Sequence, residues 1–192
     1  MSRRSSSAVC LYTDTFLPDV GGAEMVAHNL AARLCQQQRH VVVVAPRPRH
    51  VDGSDEKKGD AQEGRYQVSR FRRPISKRWG VRLVLPRLIR LHRQHRFDVL
   101  HCHAAYPQAY VASTLKRLYG IPYVVRPHGS DILPGERIRS NPRLERRARQ
   151  GLADADAVIA QGEFLKDVIV DLGVDENHVR VIHNGVDLSE FA

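Results

Sequence analysis

The sequence predicts an α/β protein, a single doubly wound domain built on a mostly parallel sheet of seven strands. Three observations carry that prediction. Seven short apolar runs alternate with helical stripes, the pattern of successive βαβ units. One run, His40-Val-Val-Val-Val-Ala45, is unbroken and β-branched, as a strand buried on both faces requires. Glycine and polar residues gather where three strands end: after Tyr12, at His101–His103 and at Pro127–Asp131. The carboxyl ends of parallel strands are where such sheets take ligands. At 192 residues the chain is long enough for one domain with a substantial core.

Residues 2–7 read as a frayed tail, and Ala8–Tyr12 as the first strand. Ala23, Val26, Ala27, Leu30, Ala31 and Leu34 then fall at i, i+3, i+4, i+7, i+8 and i+11, one face of an amphipathic helix ending near Gln36–Gln38. Gly21 and Gly22 stand at its entrance. They let a ligand approach the backbone, where the first N–H groups lack internal partners and suit a phosphate; a tight turn that merely starts the helix is the plainer reading. The loop is neither G-x-G-x-x-G nor a Walker A sequence. His40–Ala45 is the second strand. Residues 46–64, rich in Pro, Gly, Asp and Lys, read as a mobile loop. Tyr66–Phe71 alternates as the third strand.

No acidic residue occurs from Arg65 to Arg96. Val84, Leu88 and Leu91 form a helical stripe there, with Arg87, Arg90 and Arg93 on another face and Trp79 nearby. Such a helix packs on the sheet with a solvated arginine face, or lies on an anionic membrane. Phe97–His103 is the fourth strand, its alternation putting His101 and His103 on one face and Cys102 on the other. A His-x-His pair can hold zinc, but no third ligand has suitable spacing; lining a ligand crevice is the other reading. The next helix carries Val111, Ala112, Leu115, Leu118 and Tyr119 and stops at Gly120. Ile121–Arg126 is the fifth strand and runs into Pro127-His128-Gly129-Ser130-Asp131. Asn141-Pro142 is a cap followed by proline at the first helical position, with Leu144, Ala148 and Leu152 behind it. Ala155–Ala160, a helix from Phe164 to Leu172 stopped by Gly173, and His178–His183 complete the series.

Composition narrows the function. No apolar run approaches the roughly 18 residues of a membrane span, and Asp14 interrupts the first apolar run too early for a signal peptide. Cys10, Cys35 and Cys102 are scattered with no C-x-x-C pair, as free thiols of a reducing cytosol are. The net charge of +9 suits an anionic partner. Helix-turn-helix, RNP and zinc-finger patterns are missing and the aromatics are not interleaved with the basic run, so no nucleic-acid partner is expected. A nucleotide-sugar epimerase or dehydrogenase of the G-x-G-x-x-G, Tyr-x-x-x-Lys kind is disfavoured by the lack of both motifs.

Four landmarks together resemble the N-terminal half of a family 4 glycosyltransferase of the GT-B fold: Pro18, Gly21, Gly22 and Glu24; Asp98-Val-Leu-His-Cys-His103; Pro127-His-Gly-Ser-Asp131; and His183-Asn-Gly-Val-Asp187. The resemblance implies that residues 1–192 form one Rossmann-like domain, half of a GT-B enzyme, with the hinge from about residue 184. It implies retaining transfer from a nucleotide-sugar donor to a carbohydrate or lipid-linked acceptor, with no cofactor and no metal. Gly21, Gly22 and Glu24 would face the donor phosphate or sugar. His128 and Asp131 would be catalytic, His128 near the sugar's 6-position. Asp14, His101, His103 and Arg126 would line the acceptor side, and Trp79, Arg87, Arg90 and Arg93 would meet a membrane or an anionic acceptor. The family's second domain, which carries most nucleotide contacts, has no counterpart in this sequence. An isolated chain inactive until joined by that domain in cis or in trans is therefore expected, whether a truncated form, a gene remnant or a split-enzyme subunit. A cytoplasmic location, with the option of attachment to the inner membrane face, goes with this reading. The alternative is a non-catalytic acceptor-binding or membrane-docking module.

Overall fold

A computed structural model describes residues 7–48, 60–63, 66–72 and 77–185. The tail at residues 1–6, most of the 46–64 loop and the segment after Gly185 that holds most of the expected hinge lie outside them. In chain order the elements are β1 (Ala8–Thr13), α1 (Gly22–Gln36), β2 (His40–Pro46), β3 (Asp60–Glu63), β4 (Tyr66–Phe71), α2 (Lys77–His95), β5 (Val99–His103), α3 (Tyr110–Tyr119), β6 (Tyr123–Val125), α4 (Pro142–Ala153), β7 (Ala157–Ala160), α5 (Glu163–Asp171) and β8 (Val179–Val181). The sheet order is β3-β4-β2-β1-β5-β6-β7-β8. Every pairing is parallel except β3–β4. The seven expected strands are thus the seven parallel ones, and the eighth is a correction. Asp60–Glu63, expected as loop, runs antiparallel to β4 with Asp60 opposite Ser69. Its Asp-Ala-Gln-Glu sequence has no β-branched or aromatic residue, so edge pairing with β4 supplies what local propensity does not.

The sheet is wound on both faces. Tyr12, Val44, Leu100, Cys102, Tyr123, Val125 and Val158 point to one face and pack with Val84, Leu88 and Leu91 of α2, Val111 and Leu115 of α3, and Leu152 of α4. Leu11, Val41, Val43, Ala45 and Val68 point to the other and pack with Ala27 and Ala31 of α1 and with Phe16. The alternation puts the β5 histidines on the α1 side, opposite Cys102.

Helix ends follow local chemistry. Asn141 accepts from the N–H groups of Arg143 (3.1 Å) and Leu144 (3.3 Å), and Pro142 opens α4. Gly120, at φ 68°, closes α3 in the left-handed region. Inside α4, Gly151 is required by contact: a Cβ there would lie 2.6 Å from the Tyr110 backbone nitrogen.

Strand ends at β5–β8 are shorter than the apolar runs suggested. Phe97, Ile121 and Ala155 are buried but precede the hydrogen-bonded segments; burial alone does not make a ladder. None of the three cysteines is in a disulfide, and Cys10 and Cys102 are buried and Cys35 partly so.

Candidate active site

The first turn of α1, the loop after β1 and the loops after β5 and β6 meet at the carboxyl edge of the sheet. They enclose a cavity of about 140 Å³ lined by Thr13, Asp14, Thr15, Ala23, His103, Ala104, Tyr106, His128, Ser130 and Asp131. At roughly 30 Å³ per water this holds four or five waters, the scale of one small polar ring. Asp14, His103, His128 and Asp131, picked out at three separate strand ends by the sequence, therefore line one cavity.

Asp131 organises that lining. Its Oδ1 accepts from the His128 backbone N–H at 2.9 Å, and its Oδ2 from the Ala105 N–H at 2.6 Å. It is buried; the first bond closes the β6 loop on itself and the second ties it to the β5 loop. His128 in turn meets His103, with 3.3 Å between His128 Nε2 and His103 Nδ1. His101 lies behind, its ring centroid 4.6 Å from that of His103. Burial disfavours the imidazolium throughout this row. His101 is pushed down to about 3, mainly by desolvation, with Arg126 and His128 adding repulsion. His103 falls well below the usual range, again mainly by desolvation, with His101, His128 and Arg126 adding to it. His128 falls less: desolvation and Arg126 lower it, but the carboxylates of Asp131 and Glu24 oppose them. The row is neutral at physiological pH.

At the entrance of α1, Gly21 precedes the helix in extended conformation and no side chain caps it. The Glu24 side chain turns back to accept a hydrogen bond from the Thr15 hydroxyl. Its Oε2 lies 2.5 Å from where a Gly21 Cβ would be, whereas a Cβ on Gly22 would meet nothing within 4 Å. Gly21 thus makes room for Glu24, and Gly22 leaves the backbone open.

The remaining candidates do not join this cavity. Arg126 is buried, donates to the Asn184 side-chain oxygen, and faces a separate groove of about 490 Å³ between α1 and residues 183–185. His101 is buried behind His103 and lines neither space. The arginines of α2 are on the opposite face of the sheet. Arg87 turns inward, its Nε and Nη2 donating to Ser69 Oγ at 3.1 and 2.9 Å, while Arg90 and Arg93 are exposed. Arg87 is thus half-buried on β4, where it lines a groove together with Arg90, Gln94 and His95. Trp79 falls in α2, but its side chain lies outside the described residues. Thr13, Thr15, Tyr106 and Ser130 were missed in the sequence. Thr13 closes β1 at its carboxyl end, a position that could have flagged it; Tyr106 gave no signal. Among the described residues no three His, Cys, Asp or Glu side chains are disposed to hold a metal ion, and no helix is long and apolar enough to cross a membrane.

Comparison with known proteins bears on this edge. The profile of Glycosyltransferase Family 4 matches residues 20–190. No curated protein matches significantly. Among solved structures, sucrose-phosphate synthase from Thermosynechococcus elongatus aligns with a TM-score of 0.75 at 13% identity, over 95% of this chain and 49% of that one. Anabaena HepE, solved in complex with UDP, aligns at 0.66 and 17%, over 94% and 45%. A UDP-GlcNAc 2-epimerase from Neisseria meningitidis aligns at 0.60 and 13%, over 91% and 45%. The chain thus spans about half the length of the structures it matches, and an epimerase among them means that the fold alone does not separate the two chemistries. The profile match over most of the chain shows the family: this protein belongs to glycosyltransferase family 4, as the N-terminal, Rossmann-like half of a GT-B fold.

Proposed function

We propose that the chain is the acceptor-side half of a retaining glycosyltransferase that moves a sugar from a nucleotide-sugar to a carbohydrate or lipid-linked acceptor. The observation that carries this reading is the cavity where Asp14, His103, His128 and Ser130 meet the first turn of α1. One wall supplies carboxylate and hydroxyl groups, another a neutral imidazole, and the open Gly22 backbone adds helix N–H groups. That mixture matches a polyhydroxylated ligand carrying a phosphate.

Each group then has a task. Gly21 and Gly22 admit the donor diphosphate to the helix start, where fixed N–H dipoles stabilise charge building on the departing phosphate. His128 orients the transferred sugar through a hydrogen bond rather than a charge. Asp131 acts as a brace that keeps the His128 backbone in register with β5. Asp14 accepts from a ligand hydroxyl. Arg126, beside the groove at residues 183–185, is kept as a contact for an anionic acceptor. The epimerase reading lacks a comparable support on this chain. HepE has also been solved with UDP-glucose, which makes that donor the first to try.

Titration of the chain with UDP-glucose, read by amide-resolved NMR, tests the reading. Shifts confined to residues 21–24 and 128–131 are expected, together with sugar transfer once a nucleotide-binding second domain is supplied. Interconversion of a nucleotide-sugar to its epimer without transfer to any acceptor would overturn it.

A further inference from the structure

We propose that His103 is a positioning residue that fixes the tautomer of His128, so that His128 presents an Nδ1–H donor to the cavity and recognises an oxygen of its ligand. The ligand half of this statement rests on the transfer function above; the tautomer does not.

The two rings lie end to end. Their planes differ by only 15° and their centroids are 5.5 Å apart, about what an Nδ1···Nε2 distance of 3.3 Å leaves when one ring continues the plane of the other. A single proton sits between the two nitrogens, because both rings are neutral. Two arrangements are possible. If His128 Nε2 carries the proton, His103 must carry its own on Nε2. That atom is buried and has no partner, so this arrangement strands a donor inside the protein, which folded proteins rarely do. If His103 donates through Nδ1, its buried Nε2 is left as a bare lone pair, and the His128 proton moves to Nδ1. The cavity favours the same choice. Asp14 and Asp131 line it with His128, and Glu24 acts on His128 as a further negative charge, a field that attracts an N–H and repels a lone pair. The consequence is a division of labour: His128 donates to a ligand oxygen, while the carboxylate of Asp14 accepts from a ligand hydroxyl.

Long-range ¹H–¹⁵N correlation spectra of the chain labelled at histidine nitrogens read the tautomer directly. The expected result is His128 protonated on Nδ1, with Nε2 as the hydrogen-bond acceptor. His103→Asn keeps an N–H at the Nδ1 position and should preserve that state; His103→Leu removes it and should return His128 to a mixture of tautomers. Affinity for UDP-glucose should fall about threefold to tenfold in His103→Leu, the worth of one hydrogen bond, and recover in His103→Asn. A wild-type spectrum showing His128 protonated on Nε2 would overturn the proposal. If the wild-type tautomer is as expected but UDP-glucose does not bind, the donor assignment fails and the positioning role stands.

Discussion

Acidification should expose the row of buried histidines as a liability. His101 titrates at about 3 in the folded chain against about 6.5 when unfolded. Its folded value is depressed, so the unfolded chain takes up the proton first. The stabilisation it contributes is complete above pH ~6.5 and declines as pH falls from there towards 3. Between pH 8 and 5.5 one such group removes about 1.4 kcal/mol, since the unfolded state gains roughly RT ln 11 while the folded state gains almost nothing. His103 acts in the same direction. The groups facing His101 are His128, His103 and the Arg126 guanidinium, all of which oppose its charging or would share the strain of it. The perturbation is His101→Phe, an apolar ring in a site where His101 Nε2 has no partner. Urea unfolding at pH 8.0 and 5.5, followed by far-ultraviolet circular dichroism, should show wild type losing about 1.4 kcal/mol more than the variant across that interval. With a slope of about 2–3 kcal/mol per molar, this is a difference of roughly half a molar in midpoint. Equal pH dependence in the two proteins would refute the argument, because it would mean that His101 charges freely in the folded state.

Three further outcomes are expected. Gly151→Ala should destabilise by about 1–3 kcal/mol in the same unfolding assay, because its Cβ would fall 2.6 Å from the Tyr110 nitrogen and 2.7 Å from the Ala109 carbonyl carbon, both backbone atoms that cannot turn aside. Gly22→Ala should leave the melting temperature within a degree or two of wild type, since its Cβ meets nothing, yet weaken UDP-glucose binding measured by calorimetry by about tenfold or more; unchanged affinity would remove Gly22 from the donor loop. Replacing Arg90 and Arg93 together by Ala should abolish any sedimentation with phosphatidylglycerol vesicles at low salt, whereas Arg87→Ala should affect stability instead, through the loss of its bonds to Ser69.

Periodicity was enough for the architecture because burial imposes it. The α2 stripe of Val84, Leu88 and Leu91 and the apolar Val41–Ala45 run of β2 are direct copies of the surfaces they cover. Capping chemistry was equally readable at Asn141 and Gly120, where the conformation depends on the residue itself. β3 was hidden because its pairing comes from β4, not from its own composition. At the site, residues at strand ends were findable by position, and Asp14, His103, His128 and Asp131 do share one cavity. Which way a side chain turns was not legible. Arg87 reads as part of a solvent-facing arginine row yet bonds to Ser69, and Arg126 reads as a neighbour of His128 yet opens on another groove. Such choices depend on partners far away in sequence.

The fastening of the chain's last described residues has a practical side for anyone handling this protein. Asn184 is held by Arg126, and His183 Nδ1 approaches the Gln161 carbonyl at 2.9 Å, so the last described residues sit at the same carboxyl edge of the sheet as the histidine row. An affinity tag, fluorophore or surface anchor attached at Asn184 or Gly185 would crowd the groove that these residues line with Arg126 and α1. The amino end of β1 lies a full strand away, about 20 Å for its six residues. Labels and immobilisation chemistry belong there, where they leave the carboxyl edge clear.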